Sequence, residues 1–374
     1  MMALSKIRSD SMDDVAIQSN KNLIINGDLQ VWQRATSATA VTNAYATVDR
    51  FRFVEGTAGA YTSEKSSDSP IGSGSSLKLQ VTTADTSMAA GDYAYFQQVI
   101  EAQNLQSLQY GTSSAKTLTL SFWVKSSKTG TYTIALIKAD STQYNFVHEY
   151  TISSANTWEK KTITISPTAG STSFITSAAG AINNDNGVGF YVVWMLCSGT
   201  DLNGSTNNAW SSNGLHYTTT NQVNWMDNTS NNFYLSQVQL EIGDLASPFE
   251  FEDYGTTLAK CQRYFENVNW LGYVLSGNSY STTQWVLAQV LWKVEKRTVP
   301  TLTFPTIGNS SGNVGITDST ANLVTQGSTI RSQTTTTGAS LYNNNADGYS
   351  GLDDDTVCML YSYGDTTLKV DAEL

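Results

Sequence analysis

Carboxylates are the most concentrated reactive groups in the chain. Glu250, Glu252 and Asp253 fall together in FEFEDY, and Asp353, Asp354 and Asp355 in GLDDDT. Glycoside hydrolysis needs two carboxylates flanking a cleft, but both clusters lie beside turn residues, where a solvated acidic loop accounts for them. The two histidines, His148 and His216, stand in no metal-binding spacing, and no nucleophile elbow, P-loop or C-x-x-C occurs. A Ser/His/Asp set is non-local in sequence, so an abundance of serines says nothing for or against it. Cys197, Cys261 and Cys358 are widely separated and odd in number, which suits buried thiols rather than a disulfide framework or metal cluster. The expectation is a protein that is not an enzyme and requires no cofactor.

Binding chemistry has more material. Sugar sites set aromatic faces against the apolar side of a pyranose and use amides or carboxylates for its hydroxyls. The stretch from Asn207 to Asn232 combines Trp210, His216, Tyr217, Trp225 and Asp227 with many Asn, Ser and Thr residues. Read as a loop, it supplies a candidate carbohydrate platform; the competing reading has Trp210 and Trp225 plugging the end of a sandwich or a subunit contact. Trp270, Tyr273, Tyr280 and Trp285 pose the same choice nearer the C-terminus. There the alternation in WVLAQVLWKV puts Trp285, Leu287, Gln289 and Leu291 on one face, and burial is the simpler account.

Such groups need a scaffold, and composition suggests which. Charged residues are only 14% of the chain and hydrophobic residues 40%, so Ser, Thr, Asn, Gln and Gly must make the surface polar. Together with 19 Tyr and 9 Trp, this is the texture of a β-rich protein. A formal net charge of -11 argues against nucleic acid as a partner. No segment is long and apolar enough to insert into a membrane. The opening MMALSKIRSDSMDDVA has no signal-peptide core, so synthesis in the cytoplasm outside the secretory route is expected.

The 374 residues suit two or three domains. Residues 1–20 are polar and read as an arm that orders against a partner. Strand periodicity then begins. Leu77, Leu79 and Val81 alternate with polar residues, and Leu118, Leu120, Phe122 and Val124 share a face. Ser126 to Gly130 suggests a hairpin turn into Tyr132–Ile137. The apolar run Phe190–Cys197 reads as a central strand covered on both sides. In Phe233–Ile242, Val238, Leu240 and Ile242 oppose Gln237, Gln239 and Glu241. Leu258, Cys261 and Phe265 instead have helical spacing, with Thr256 or Thr257 available as N-cap. The fold class is all-β: a jelly-roll sandwich over 21–254, a linking helix over 255–267 and a smaller β domain over 268–374.

Two stretches carry a family resemblance. NLIINGDLQVWQRATSATAVTNAYATVDRF (22–51) resembles the opening of a domain common in bacteriophage tail-fibre and receptor-binding proteins, and QVQLEIGDLASPFEFEDYGTTLAKCQRYF (237–265) resembles its closing signature. That domain is similar to galactose-binding-like, carbohydrate-binding-module jelly rolls. Physically, Gly27 allows a tight turn, Arg34 can pair with Asp49, and Pro248 terminates a strand. The resemblance implies a virion structural protein of tail or particle surface, made in the host cytoplasm. The arm would attach to other tail or capsid proteins, and the C-terminal domain would be the head that meets host cell-surface glycan. It also implies a homotrimer, in which several weak sugar sites act together, and a structural calcium near the first and last strands, where Asp28 and Glu241 are the carboxylates so placed. A decoration or adaptor protein of capsid or tail without receptor binding is the alternative; a glycan depolymerase comes third.

Overall fold

A computed structural model describes residues 21–214, 216–308, 311–318, 329–352 and 355–374, in two compact units that divide between Thr257 and Leu258. The expected arm, residues 1–20, lies outside the described residues. Among its described residues the first unit has twelve strands: β1 (Ser37–Ala38), β2 (Phe51–Gly56), β3 (Ala60–Ser66), β4 (Ser76–Thr83), β5 (Tyr93–Glu101), β6 (Leu118–Ser126), β7 (Gly130–Lys138), β8 (Tyr144–Ile152), β9 (Glu159–Ile165), β10 (Val188–Ser198), β11 (Ala209–Ser211) and β12 (Asn232–Ile242). They form two antiparallel sheets, ordered β1-β3-β4-β12-β6-β9 and β11-β8-β7-β10-β5-β2. The fold is an all-β sandwich of jelly-roll type.

Alternation explains the sandwich. Leu118, Leu120, Phe122 and Val124 of β6 are fully buried, as are Leu77 and Leu79 of β4. At the centre, Trp194 of β10 stacks on Phe96 of β5 at 5.4 Å and meets Phe122 of the opposite sheet edge-on at 6.0 Å. Offset and edge-on ring pairs of this kind add to the burial free energy that joins the sheets. The run Phe190–Cys197 does form a central strand, flanked by β5 and β7.

The hairpin expected at Ser126–Gly130 does not form, because β6 and β7 belong to different sheets. Both edges of β6 are taken by β12 and β9, and both edges of β7 by β8 and β10. The short link therefore arches across the end of the sandwich, where the Tyr132 hydroxyl donates to the Lys128 carbonyl at 2.9 Å.

The two signature stretches meet at a bulge in β12. Gln237 adopts φ 49°, and pairing of β12 with β4 stops at Leu235. Beyond it the segment 22–27 runs alongside: Leu23 N–H donates to Leu240 O at 2.8 Å and Val238 N–H to Gly27 O at 2.7 Å. The Asn22 amide brackets the same strand, donating to Val238 O and accepting from Leu240 N–H, each at 3.0 Å. Gly27 lies in the expected turn, which Leu29 N–H closes onto Asn26 O at 3.0 Å, and it also serves close approach, since a Cβ there would lie 2.1 Å from Val238 O. The expected ion pair is present, Arg34 lying 3.8 Å from Asp49, whose carboxylate also accepts from Gln33 N–H at 2.6 Å and Gln33 Nε2 at 2.9 Å.

Helix α1 (Tyr254–Gln262) is shorter than the expected 255–267, because Phe265 already begins a strand. Its cap is Asp253 rather than a threonine: Asp253 Oδ1 accepts from Gly255 N–H at 2.9 Å and Thr256 N–H at 3.3 Å. The second unit has, among its described residues, seven strands: β13 (Phe265–Ser281), β14 (Gln284–Leu291), β15 (Thr301–Thr303), β16 (Val314–Asp318), β17 (Arg331–Thr334), β18 (Gly338–Tyr342) and β19 (Val357–Asp371). Their order is β15-β19-β13-β14-β18-β17, with β16 also paired to β19. Trp270, Trp285, Leu341 and Leu360 anchor its core. The single face expected through Trp285, Leu287, Gln289 and Leu291 breaks at an irregularity between Val286 and Gln289, so Val290 turns inward and Leu291 is exposed. All three cysteines are buried free thiols.

Candidate functional site

The outer face of the second sheet carries an unusual set of side chains. In β5, Ala94 and Phe96 enter the core, so Tyr93, Tyr95 and Gln97 point away from it. In β10, Val192, Trp194 and Leu196 enter the core, leaving Tyr191, Val193 and Met195 on the outer face. Register then fixes which outer residues adjoin. Arg52 pairs with Gln97, Gln97 with Val193, Val193 with Ala135, and Ala135 with Val147. This row crosses β2, β5, β10, β7 and β8, and is short-chained over its last three members. The neighbouring row on one side holds Tyr191 opposite Ile137, and on the other Tyr95 opposite Met195. The result is a floor of small apolar groups between tyrosine walls.

Ala135, Ile137, Val147, Val193 and Met195 form a separate buried cluster, with half-buried Tyr95, Tyr191 and Tyr217 packed on it. Tyr217 reaches the face from the segment after β11. Its N–H donates to Leu202 O at 3.0 Å, while Asn145 Nδ2 holds Asn213 O at 2.9 Å and Gln143 Nε2 holds Gly214 O at 3.1 Å. The depression so formed encloses about 250 Å³ and includes Arg52, Gln97 and Gln143 in its lining. A second depression of about 410 Å³ shares Tyr95 and Tyr217 with it and adds Gly91, Tyr93, Asp201 and Leu202. Tyr93 and Tyr95 lie with ring centroids 5.8 Å apart.

Two adjoining depressions that share two tyrosines make a groove across the strands. Burial, reinforced by Tyr217 and Tyr93 and opposed by Arg52, pushes the Tyr95 phenol up to about 12. Burial also raises Tyr217, against the opposing hydrogen bond from Gln143. Both hydroxyls are thus protonated at neutral pH and able to donate and accept. Chemically the groove offers ring faces, phenols, two amides, one guanidinium and one carboxylate. Those are the groups that recognise a polyhydroxylated ring.

Of the residues expected to form a sugar platform, Tyr217 alone lines the groove. Trp210 belongs to β11 rather than a loop; it is buried against Phe146 at 5.5 Å, and its Nε1 donates to Ser166 O at 2.8 Å. Trp225 is fully buried and meets Tyr61 edge-on at 5.9 Å. Burial leaves neither indole a face to present, so the platform expected from these tryptophans is corrected to core packing. Asp227 is paired with Lys128 and accepts from Asn231 Nδ2 at 2.8 Å. His216 lies against its own loop, with Nδ1 3.0 Å from Asn213 Nδ2. Sequence reading missed Arg52, Tyr93, Tyr95, Gln97, Gln143 and Tyr191. The signal was the placement of Tyr93, Tyr95 and Tyr191 out of phase with the core positions of their strands.

The carboxylates have other tasks. Glu241 accepts from Ser247 N–H at 2.9 Å, Ser247 Oγ at 2.7 Å and Gln239 Nε2 at 2.8 Å. Asp28 accepts from Gln30 Nε2, and burial raises its pKa. N–H and O–H donors thus already engage the carboxylates of both Asp28 and Glu241. No group of three or more His, Cys, Asp or Glu side chains placed to hold a metal occurs among the described residues. In the FEFEDY cluster, Glu250 accepts from Asn22 N–H at 3.0 Å, Glu252 from Thr257 Oγ1 at 2.9 Å, and Asp253 caps α1. Asp353 and Asp354 lie outside the described residues.

No family model matches the sequence, and no curated protein matches it. Among solved structures, the chain is similar to a proposed sugar-binding protein from Bacteroides thetaiotaomicron, with 13% identity and a TM-score of 0.34 over 59% of this chain and 100% of that one. It is similar to a family 11 carbohydrate-binding module from Clostridium thermocellum, solved with a β-1,3-1,4-mixed-linked tetrasaccharide, with 13% identity and a TM-score of 0.28 over 57% of this chain and 99% of that one. The enzymatically active domain of tailspike protein 4 from bacteriophage CBA120 matches with 12% identity and a TM-score of 0.28 over 60% of this chain and 22% of that one. No helix among the described residues is long and apolar enough to cross a membrane.

Proposed function

We propose that this chain binds glycan in the tyrosine-walled groove of its first unit, and does so as a phage virion protein of the tail-fibre or receptor-binding type. The observation that carries the sugar reading is the row Gln97, Val193, Ala135 and Val147 lying low between Tyr95 and Tyr191. A face meant only for solvent gains nothing from a desolvated apolar floor under half-exposed phenols, whereas a pyranose matches it: apolar C–H groups against rings, hydroxyls against phenols and amides. The groove lies in the first unit, so the glycan contact moves there from the C-terminal head expected from sequence.

The virion assignment is supported by the two signature stretches, whose residues join the segment 22–27 to β12 as the opening and closing of one domain. Attachment to tail or capsid proteins would fall to residues 1–20, and a homotrimer would multiply one weak groove threefold.

Affinity electrophoresis of the whole chain against host surface polysaccharide tests the groove. Tyr95→Ala and Tyr217→Ala should each weaken retardation at least tenfold while thermal unfolding stays two-state; retention of binding in both variants would reject the site. Antibody labelling of particles in the electron microscope tests the location. Label at the tail periphery supports receptor binding, and label on the capsid wall transfers the protein to the decoration class.

A further inference from the structure

Arg52 is the feature of the groove that neutral sugar recognition does not require. It sits in β2, at the edge of its sheet, with its side chain on the outer face opposite Gln97. It is half-buried, and its charge is felt by the Tyr95 phenol. Among the described residues no carboxylate pairs with it, although the chain has 32 Asp and Glu against 21 Lys and Arg. Removing a guanidinium partly from water without a counter-charge is costly. Its planar fork of donors is shaped for a carboxylate, which takes two parallel N–H bonds.

The rest of the groove gives this charge a direction. Gln97 and Gln143 stand in the same depression as Arg52 and bring amide donors and acceptors. Asp201 lines the adjoining depression, beyond the shared Tyr95 and Tyr217. An anionic group is attracted to the first depression and repelled from the second, where a hydroxyl-rich ring suits Asp201 as acceptor.

We infer that the groove selects an acidic glycan, seating the carboxylate of a uronate-type or sialate-type residue on Arg52 and an adjoining neutral residue beside Tyr93 and Asp201. This rests on the groove being the glycan site, and the test separates the two claims. The full chain is applied to an array of hexuronate- and sialate-containing glycans, each printed beside its carboxyl-reduced counterpart, with sulfated neutral glycans as a third set. Carboxyl reduction should cost at least tenfold in affinity, and raising salt should weaken binding of the acidic set only. Arg52→Gln should bind the acidic and reduced forms alike, with Arg52→Lys intermediate and both variants melting as the parent does.

Equal binding of acidic and reduced glycans by the parent, or binding of sulfated glycans alone, would overturn the carboxylate assignment and leave the groove standing, provided Tyr95→Ala still abolishes binding. An acid preference that survives Arg52→Gln would place the carboxylate elsewhere. Binding to no glycan in any set would overturn both claims.

Discussion

The side-chain amide of Gln98 pairs with the backbone of Ile25 as a neighbouring strand would, accepting from the Ile25 N–H at 2.8 Å and donating to the Ile25 carbonyl at 2.9 Å. Gln98 lies in β5 of one sheet, whereas the segment holding Ile25 hydrogen-bonds to β12 of the other. One buried side chain thereby ties the two sheets at the entry of the chain. Gln98→Leu keeps the volume and removes both bonds, leaving polar backbone groups in poor contact with water. The expected cost is about 2 kcal/mol, read as a lower urea midpoint at unchanged slope. An unchanged midpoint would mean that the segment is held by β12 alone.

Gly27 gives a second test of the same junction. Because the atom a Cβ would strike is the Val238 carbonyl oxygen, at 2.1 Å, a side-chain rotation cannot relieve the clash. Gly27→Ala should push the segment off β12 and cost roughly 2–4 kcal/mol, in the range of strongly disruptive substitutions. Amide hydrogen exchange locates the damage: the protons of Leu23 and Val238, which bond across this junction, should exchange faster, while those of β7 and β8 stay protected. Uniform acceleration would point to global destabilisation instead.

What the sequence disclosed and withheld follows from periodicity. Alternation marks two faces of a strand but not which strand lies beside it, so Leu118 to Val124 identified β6 while its separation from β7 into another sheet stayed hidden. Bulges are equally silent, since Gln237 and the Val286–Gln289 irregularity shift phase without a characteristic residue type. Tyrosine is ambiguous for a further reason. Tyr61, Tyr132 and Tyr150 are buried in the sandwich, whereas Tyr93, Tyr95 and Tyr191 stand on the outer face of neighbouring strands. Only register shows that the latter adjoin, and register depends on pairing between segments about a hundred residues apart. In the segment 207–232 the aromatics cluster locally and are therefore visible in the sequence. Tyr217 belongs to the groove, while Trp210 and Trp225 face the core that closes behind it.

Trp210 and Tyr217 therefore separate stability from binding. Trp210→Phe loses the Nε1 bond to Ser166 O and part of the contact with Phe146, and should cost about 1–3 kcal/mol. Glycan affinity of the folded variant should stay within twofold of the parent. Tyr217→Ala should do the reverse, leaving the melting temperature within a few degrees and removing binding at least tenfold. Calorimetric melting and glycan titration on the same samples check both. A Trp210→Phe variant that melts normally but does not bind would return the indole to the site.

In the second unit, Arg331 forks onto Asp347, with Nε 2.8 Å from Oδ2 and Nη2 2.8 Å from Oδ1, and Asp347 also accepts from the Asn344 N–H at 2.9 Å. These bonds, that from Arg331 first, hold the Asp347 carboxyl below the ordinary carboxylate value. The sign of the linkage follows. Above the unfolded-state pKa of about 3.9, the carboxyl is charged in both states and the pair's contribution is fully present. As pH falls further, the unfolded chain takes up the proton first, and the contribution is gone once the lowered folded value is passed. Carboxyl-carbon NMR should show Asp347 titrating below 3.8 in the folded chain, and Asp347→Asn should flatten the acid limb of the second unit's stability curve. A titration midpoint at or above the ordinary value would mean that the fork does not persist in solution.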